Sequence, residues 1–352
     1  MNMELLTQVL TAYGATGREG NVRAVIERAL GAHADSVRTD AMGNLIAVKK
    51  GDGTGKRIML SSHMDHIALV VIDADEHGFL RVCAAGGVPA GKMVAQHVAF
   101  GNGEMGVVGA DGDAPAELTP AHLYIDIGAD SREEALARVP VGEFAVAAPR
   151  VARLGEHRLA SPAMDDRIAC YALLEVFCAL EDGMKNEVVA VFSVQEEVGL
   201  RGATAAAYSV EPDVGVALDV TATGDVPGAK GHLPMKLGAG AAVKILDRDM
   251  IATPWVVDAM LDAAQQAGIP AQREVLPFGG TDAAAIQRSR GGVPSGTISI
   301  PCRYVHSAAE TVDLRDVQAA IDLTRAFVER EMPLSSGFCA TRWRGRRRSA
   351  PC

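Results

Sequence analysis

The stretch V-F-S-V-Q-E-E-V-G-L-R-G-A, from Val191 to Ala203, joins an apolar run to two adjacent carboxylates and two glycines. The apolar run predicts a buried strand that ends at Val194. Glu196 and Glu197 follow directly, and adjacent acids repel each other wherever water is scarce. Because ligands of open α/β sheets bind beyond the carboxyl ends of the strands, this position predicts a functional site.

The chain around this stretch alternates between helical and strand-like patterns. Predicted helices cover residues 18–33, 168–180, 203–209, 254–267 and 314–331, and predicted strands include 187–194, N-L-I-A-V-K-K, R-I-M-L-S-S, V-G-V-A-L-D-V and G-T-I-S-I-P. This order predicts an α/β fold, with a doubly wound, largely parallel sheet sandwiched by helices.

Three regions of the chain differ in residue composition and pattern. Residues 68–160 contain short β-rich runs between glycine-rich turns, which predicts a small inserted all-β domain. Residues 1–67 and 161–333 then form a discontinuous catalytic domain. Residues 334–352 are predicted to be a disordered basic tail, since five arginines and no acid lie between residues 341 and 352.

Composition restricts the class of protein. The 352 residues carry a formal charge of -10, which argues against nucleic acid as the main partner. The six cysteines form no C-x-x-C pair and the chain begins without a basic and apolar leader, so we expect reduced thiols in the cytoplasm. No apolar run approaches the roughly 18 residues of a membrane span, so no membrane partner is expected.

Other strand ends carry polar residues of the same kind as the glutamate pair. The candidates are His63 and Asp65 after R-I-M-L-S-S, Asp219 after V-G-V-A-L, His306 after I-S-I-P, and Asp165 with Asp166 at the start of a helix. Imidazoles and carboxylates at one sheet edge are typical ligands of zinc or a similar metal. Two ions can share one bridging carboxylate, so five ligands suffice. One glutamate of the pair would then bind metal, and its neighbour would act as general base.

Each candidate also has an ordinary structural interpretation. The glutamate pair could begin a helix, Asp165 and Asp166 could cap one, Asp219 could be a solvated strand end, and His306 could be a loop histidine. Their conjunction at strand ends favours the metal site. Asp65 is predicted to orient His63 rather than to bind metal. The remaining histidines are interpreted as surface or packing residues: His33, His66, His77, His97, His122, His157 and His232.

The motifs of several other enzyme classes are missing from the sequence. Neither a P-loop nor a dinucleotide fingerprint follows a strand, and no G-x-S-x-G elbow occurs. Nucleophilic catalysis is therefore a weak alternative.

Seven segments together resemble the M42 family of dinuclear metallo-aminopeptidases, which includes the glutamyl and tetrahedral (TET) aminopeptidases. The segments are S-S-H-M-D, L-Y-I-D-I-G-A, A-M-D-D-R-I, Q-E-E-V-G-L-R-G-A, A-L-D-V-T, G-G-T-D-A-A-A-I-Q and I-P-C-R-Y-V-H-S-A-A-E-T-V-D-L-R-D. They extend over nearly all of residues 1–332.

The resemblance implies a role for each candidate. The implied metal ligands are His63 and Asp219 for one ion, Glu197 and His306 for the other, and Asp165 as the bridge. Glu196 is the implied general base, Asp65 the partner of His63, and the peptide bond between Asp165 and Asp166 is expected to be cis. His66 stands where relatives commonly carry an acid, since this chain has H-M-D-H-I-A in place of H-x-D-E-x-G.

The expected activity is hydrolysis of the N-terminal residue from peptides, with two zinc or cobalt ions per subunit. The expected partners are peptides and further copies of the chain, from a dimer to a tetrahedral dodecamer assembled through the β-rich insert. M20-type carboxypeptidases and deacylases share the order of ligands, but their smaller domain is inserted before the final histidine, whereas here the long gap separates Asp65 from Asp165. Two alternatives from other classes are an endoglucanase-like glycoside hydrolase, which would leave both histidines without a role, and a non-catalytic assembly subunit.

Overall fold

The computed structural model describes residues 1–112, 117–229 and 233–332. The predicted basic tail, 334–352, and His232 lie outside the described residues. The helices are α1 Met3–Thr11, α2 Gly20–Leu30, α3 Ala90–Met93, α4 Arg132–Arg138, α5 Met164–Cys178, α6 Arg201–Val210, α7 Pro254–Ala267, α8 Asp282–Gln287 and α9 Leu314–Val328. The strands are β1 Ser36–Thr39, β2 Leu45–Lys49, β3 Arg57–His63, β4 Ala68–Ala74, β5 Leu80–Ala85, β6 His97–Phe100, β7 Met105–Ala110, β8 Leu123–Asp126, β9 Phe144–Ala147, β10 Ala152–Leu154, β11 Arg158–Ser161, β12 Glu187–Ser193, β13 Val214–Ala222, β14 Ala241–Leu246, β15 Ala271–Val275, β16 Ser295–Arg303 and β17 Glu310–Asp313.

Eleven strands form one mixed sheet in the order β1-β2-β12-β3-β13-β16-β17-β11-β10, with β14 beside β16 and β15 beside β14. The predicted α/β class is confirmed, but the sheet is parallel only in part. The central strands β12, β3, β13 and β16 pair in parallel, while both flanks are mainly antiparallel. The flanks differ because short connections such as those of β1 to β2 and β10 to β11 can join only antiparallel neighbours.

Helices cover both faces of the sheet, and the alternation of side chains along β3 determines which residues meet them. The Ser62 hydroxyl lies 3.5 Å from Sγ of Cys170 on α5, whereas the Ser61 hydroxyl donates to Asp282 of α8 at 2.7 Å. Helices α5, α7 and α9 pack together on the first face, and α6 packs beside α8 on the second. The central strands are therefore buried on both sides, which explains their continuous apolar runs.

The inserted region forms a closed six-stranded barrel, β4-β5-β8-β7-β6-β9, with an apolar core of its own. It differs from the predicted all-β insert in containing the short helices α3 and α4. The barrel strands end at Ala147. Strand β10 and most of β11 fall within residues 68–160, but both belong to the large sheet. Pairing of β11 with β17, from Arg158 opposite Asp313 to Ser161 opposite Glu310, holds them there.

Among the described residues, no helix has both the length and the apolar character that crossing a membrane requires.

Candidate metal centre

The central parallel strands bring the predicted site residues to one edge of the sheet. His63 is the last residue of β3, and Asp219 lies near the end of β13. Glu197 follows the end of β12 by four residues, and His306 follows the end of β16 by three. Because these four strands are neighbours and run in the same direction, their carboxyl ends meet.

Asp165 lies between the two histidines, with one carboxylate oxygen towards each. Its Oδ1 is 3.1 Å from Nε2 of His63, and its Oδ2 is 3.3 Å from Nε2 of His306. Nε2 of His306 is also 3.3 Å from Oε1 of Glu197. The expected cis peptide bond between Asp165 and Asp166 is present, and it lies ahead of the regular part of α5.

Within the described parts of the chain, two groups of side chains are compact enough to hold a metal ion. His63, Asp165, Asp166 and Asp219 form one group, and Asp165, Glu197 and His306 form the other, with ligand atoms in each group within 4.8 Å of one another. We refer to His63 and Asp219 as the inner half-site and to Glu197 and His306 as the outer half-site. Asp165 is common to both.

The residues of these groups fit divalent cations. The carboxylates are largely buried, and Oδ1 of Asp166 has no hydrogen-bond partner among the described residues. Buried acids in such numbers need positive charge nearby. Imidazole nitrogens with carboxylate oxygens are a donor set typical of zinc and related ions.

The pKa values of the site reflect this crowding of acids. Burial opposes protonation of His306, but its contacts with Asp165 and Glu197 raise its pKa to about 12. Burial would raise the pKa of Asp165, yet its contacts with both histidines hold that pKa well below the usual range. Protonated His306 thus supplies positive charge at a position where a bound cation would supply it.

Glu196 and Glu197 point to different half-sites, although they are adjacent in sequence. Oε2 of Glu196 lies 3.9 Å from Nε2 of His63, on the inner side, whereas Glu197 contacts His306. Burial is the main cause that raises the pKa of Glu196 well above its usual value. A carboxylate with a raised pKa is suited to accept and return a proton near neutral pH.

Asp65 holds this glutamate pair through the backbone. Its two carboxylate oxygens accept the N–H groups of Glu196 at 2.9 Å and Glu197 at 3.3 Å. Its peptide carbonyl, which can only accept, lies 2.9 Å from Nδ1 of His63, while its carboxylate is 3.6 Å from that nitrogen. The predicted contact of Asp65 with His63 is therefore made mainly by the Asp65 carbonyl. The Asp65 carboxylate instead holds the backbone of Glu196 and Glu197, which follow strand β12.

The sequence analysis missed Glu310, at the start of β17. Its buried carboxylate accepts the backbone N–H of Asp165 at 2.8 Å and that of His306 at 2.7 Å. The only trace in the sequence is a single acid four residues after His306, which matches no ligand spacing. Glu310 joins the bridging aspartate to the outer half-site.

Two other residues near the centre have structural surroundings. Asp282 accepts the hydroxyls of Ser61 and Ser193, and so links β3 to β12 beneath the site. His66 is buried, and burial together with the charge of Arg167 lowers its pKa to about 3. His66 belongs to neither metal group, and its lowered pKa keeps the buried imidazole neutral.

The centre opens into a cleft of about 710 Å³. Its lining includes the apolar side chains of Leu276 and Phe278 as well as Lys92 and Tyr304. This volume is large enough for a peptide terminus to reach the carboxylates.

The family model of M42 glutamyl aminopeptidases matches residues 43–323. The chain belongs to the M42 glutamyl aminopeptidase family. The match confirms the predicted family and enzyme class, and it decides for M42 over the M20-type alternative. The matched region contains all five predicted metal ligands as well as Glu196 and Asp65.

Individual relatives agree with the family assignment. A lysyl aminopeptidase of Pyrococcus furiosus is 36% identical, with 95% of this chain and 99% of that protein covered. An aminopeptidase structure from Desulfurococcus kamchatkensis is 38% identical with a TM-score of 0.89, covering 93% of this chain and 94% of that one. The TET1 peptidase of Pyrococcus horikoshii is 32% identical with a TM-score of 0.81, covering 93% and 98%.

Proposed function

We propose that this M42 protein is a dinuclear metal-dependent aminopeptidase that removes the N-terminal residue from peptides. His63 and Asp219 would hold one divalent cation, Glu197 and His306 the second, and Asp165 both. The observation that carries the proposal is the position of Asp165, which directs one oxygen to each of two histidines. Zinc or cobalt fits the nitrogen and oxygen donors.

The chain's own residues provide the proton transfers. Bound divalent cations supply Lewis acidity at the scissile carbonyl. Glu196 accepts the proton of the attacking water and returns it to the leaving amine, for which its buried carboxylate is suited. Asp65 keeps Glu196 in place through the backbone N–H. A free amino terminus would bind at the metal centre, so that one residue is released at a time.

Glu196→Gln is the decisive variant. It keeps the shape of the side chain but cannot accept a proton, so kcat on aminoacyl anilides should fall about 10²- to 10⁴-fold. Metal analysis should still find two ions per chain. Glu197→Gln should instead lose one ion, and the exposed Glu133→Gln should match the native enzyme in both measurements.

The same variant tests the non-catalytic alternative. If Glu196→Gln retains native kcat, or if the native protein takes up no stoichiometric metal, the proposal is wrong. Activity on a β-glucan that survives removal of metal by a chelator would instead support glycoside hydrolysis, a mechanism that gives neither histidine a role.

We also propose that the chain forms homo-oligomers through the barrel. Support comes from exposed apolar side chains on the barrel: Ile72, Met105, Val107 and Val141. The TET1 peptidase of Pyrococcus horikoshii can assemble into a tetrahedron or a large octahedral shell. Sedimentation of the native chain beside Met105→Lys should give a smaller particle for the variant, and equal particles would contradict a role of the barrel.

We propose a cytoplasmic location as well. The four cysteines within the described residues, Cys83, Cys170, Cys178 and Cys302, are all free thiols, as expected in a reducing compartment.

A further inference from the structure

The loop between β5 and α3 of the barrel contacts the outer half-site directly. Nδ1 of His306 lies 2.8 Å from the carbonyl oxygen of Gly87 in this loop. A carbonyl oxygen can only accept, so Nδ1 carries the hydrogen and Nε2 is the nitrogen that faces Asp165 and Glu197. A backbone atom of the inserted domain thus fixes the orientation of a predicted metal ligand that belongs to the large sheet's domain.

The glycines of this loop permit the close approach. A Cβ atom on Gly87 would lie 3.2 Å from both Cε1 and Nδ1 of the His306 ring. A Cβ on Gly86, whose φ is +86°, would lie 3.2 Å from Cβ of Glu197. Larger residues at either position would therefore press on one of the two outer ligands.

A third contact connects the same part of the barrel to the segment before His306. Nζ of Lys92, on α3, donates to the carbonyl oxygen of Val305 at 2.7 Å. The outer half-site needs such support because His306 lies in a loop with φ of +57°, and 28% of its side chain is exposed. Among the described residues no strand pairs with His306, whereas His63 at the end of β3 pairs with Ser193 of β12.

We infer that the loop of Gly86 and Gly87 positions His306 for metal binding, so that the barrel completes the outer half-site. This inference rests on the proposed dinuclear centre. Gly87 is a positioning residue, since its carbonyl oxygen acts through the imidazole ring of His306. The inner half-site has no such contact with the barrel in the described residues, so its affinity should not depend on the loop.

The test compares Gly87→Ala with Gly91→Ala in the full chain. Gly91 lies in α3, and a Cβ there would meet no atom of the described residues within 4 Å, which makes it a matched control. Metal-free proteins are titrated with Co²⁺, followed by calorimetry and by the visible absorption of the bound ions. In Gly87→Ala, one of the two bound Co²⁺ ions should bind about 10- to 100-fold more weakly and show a changed visible spectrum. The other Co²⁺ ion should bind as it does in the native protein.

Gly91→Ala should bind both ions as the native protein does, and all metal-free proteins should unfold at the same temperature. Native binding of both ions by Gly87→Ala would overturn the inference. So would an equal loss of both equivalents, because that result indicates a general disturbance of the fold.

Lys92→Met provides a second test that leaves the glycines intact. Lys92 is exposed, so its replacement should not impair folding. The substitution should weaken binding of the same Co²⁺ ion by about threefold. If Gly87→Ala fails to fold, native affinity of both sites in Lys92→Met overturns the inference. A native protein that binds fewer than two ions would refute the proposed function itself, whereas two ions in the native protein with no effect in the variants refutes only the role of the loop.

Discussion

The two half-sites use the same ligand types but are supported by different parts of the molecule. The inner ligands, His63 and Asp219, lie on β3 and β13, which are hydrogen-bonded neighbours in the parallel centre of the sheet. The outer ligands, Glu197 and His306, lie in segments that follow β12 and β16. His63 is almost fully buried, whereas 28% of the His306 side chain is exposed.

This difference shows two ways of holding a metal ligand. A residue on a central strand is fixed by the ladder and by packing on both faces, and it needs little further help. A residue in a loop needs hydrogen bonds from other elements. For His306 these are the carboxylate of Glu310 at its backbone N–H and the carbonyl of Gly87 at its ring.

The comparison predicts that the two histidines contribute unequally to folding. In the metal-free protein, His63→Ala should be less stable than His306→Ala by about 3 kcal/mol. Loss of the buried His63 leaves Oδ1 of Asp165 unpaired away from water, whereas water can replace the partly exposed His306 beside Oδ2. Urea unfolding of both variants in the presence of a chelator measures the difference. Equal midpoints would show that the inner half-site is no more integral to the fold than the outer one.

A smaller effect is expected at Glu310, which links the bridging aspartate to the outer half-site. In Glu310→Gln an amide NH₂ replaces one oxygen and faces a backbone N–H donor of either Asp165 or His306. Metal affinity should fall about 10- to 100-fold, with the larger loss at the outer half-site. Competition with a chelating dye measures both affinities.

The exposed Glu76→Gln is the control for this variant and should bind metal natively. A loss confined to the inner half-site would contradict the assigned position of Glu310.

The smallest effect concerns the anchor of the loop that carries His306. Arg303, the last residue of β16, donates to both carboxylate oxygens of Asp225, at 2.9 and 2.7 Å, and lowers the pKa of Asp225 to about 2. Because the pKa of Asp225 is lower in the folded state than in the unfolded state, the ion pair stabilises the folded protein. This stabilisation is complete above the unfolded pKa, near 4, and is lost as the pH falls towards 2. Asp225→Asn should therefore be about 1–2 kcal/mol less stable at pH 7 and 5.

Urea unfolding at pH 7, 5 and 3 checks this expectation, and the gap between native and Asp225→Asn should narrow at pH 3. A gap that widens in acid would mean that another group governs the loop anchor.

Long periodic segments were predictable from the sequence. The predicted helix 254–267 agrees with α7, and the predicted helix 314–331 extends α9 by three residues. The elements missed were helices α1 and α8 and strands β1, β14, β15 and β17. In β14, Lys244 interrupts the apolar run that would have indicated a buried strand. Its burial is possible because Nζ lies 3.1 Å from Oε1 of Glu274 on β15, which compensates the charge. Helix α8 has only six residues, too few to establish a helical period.

The sequence by itself determined the α/β class, the identity of the candidate ligands and their convergence, because polar residues after parallel strands must meet at one sheet edge. Only the tertiary structure decided which groups orient those ligands. Glu310 and Gly87 act through backbone donors and acceptors that lie far apart in the chain or in the other domain. Contacts of this kind depend on distance in space and not on residue type, so no spacing in the sequence records them.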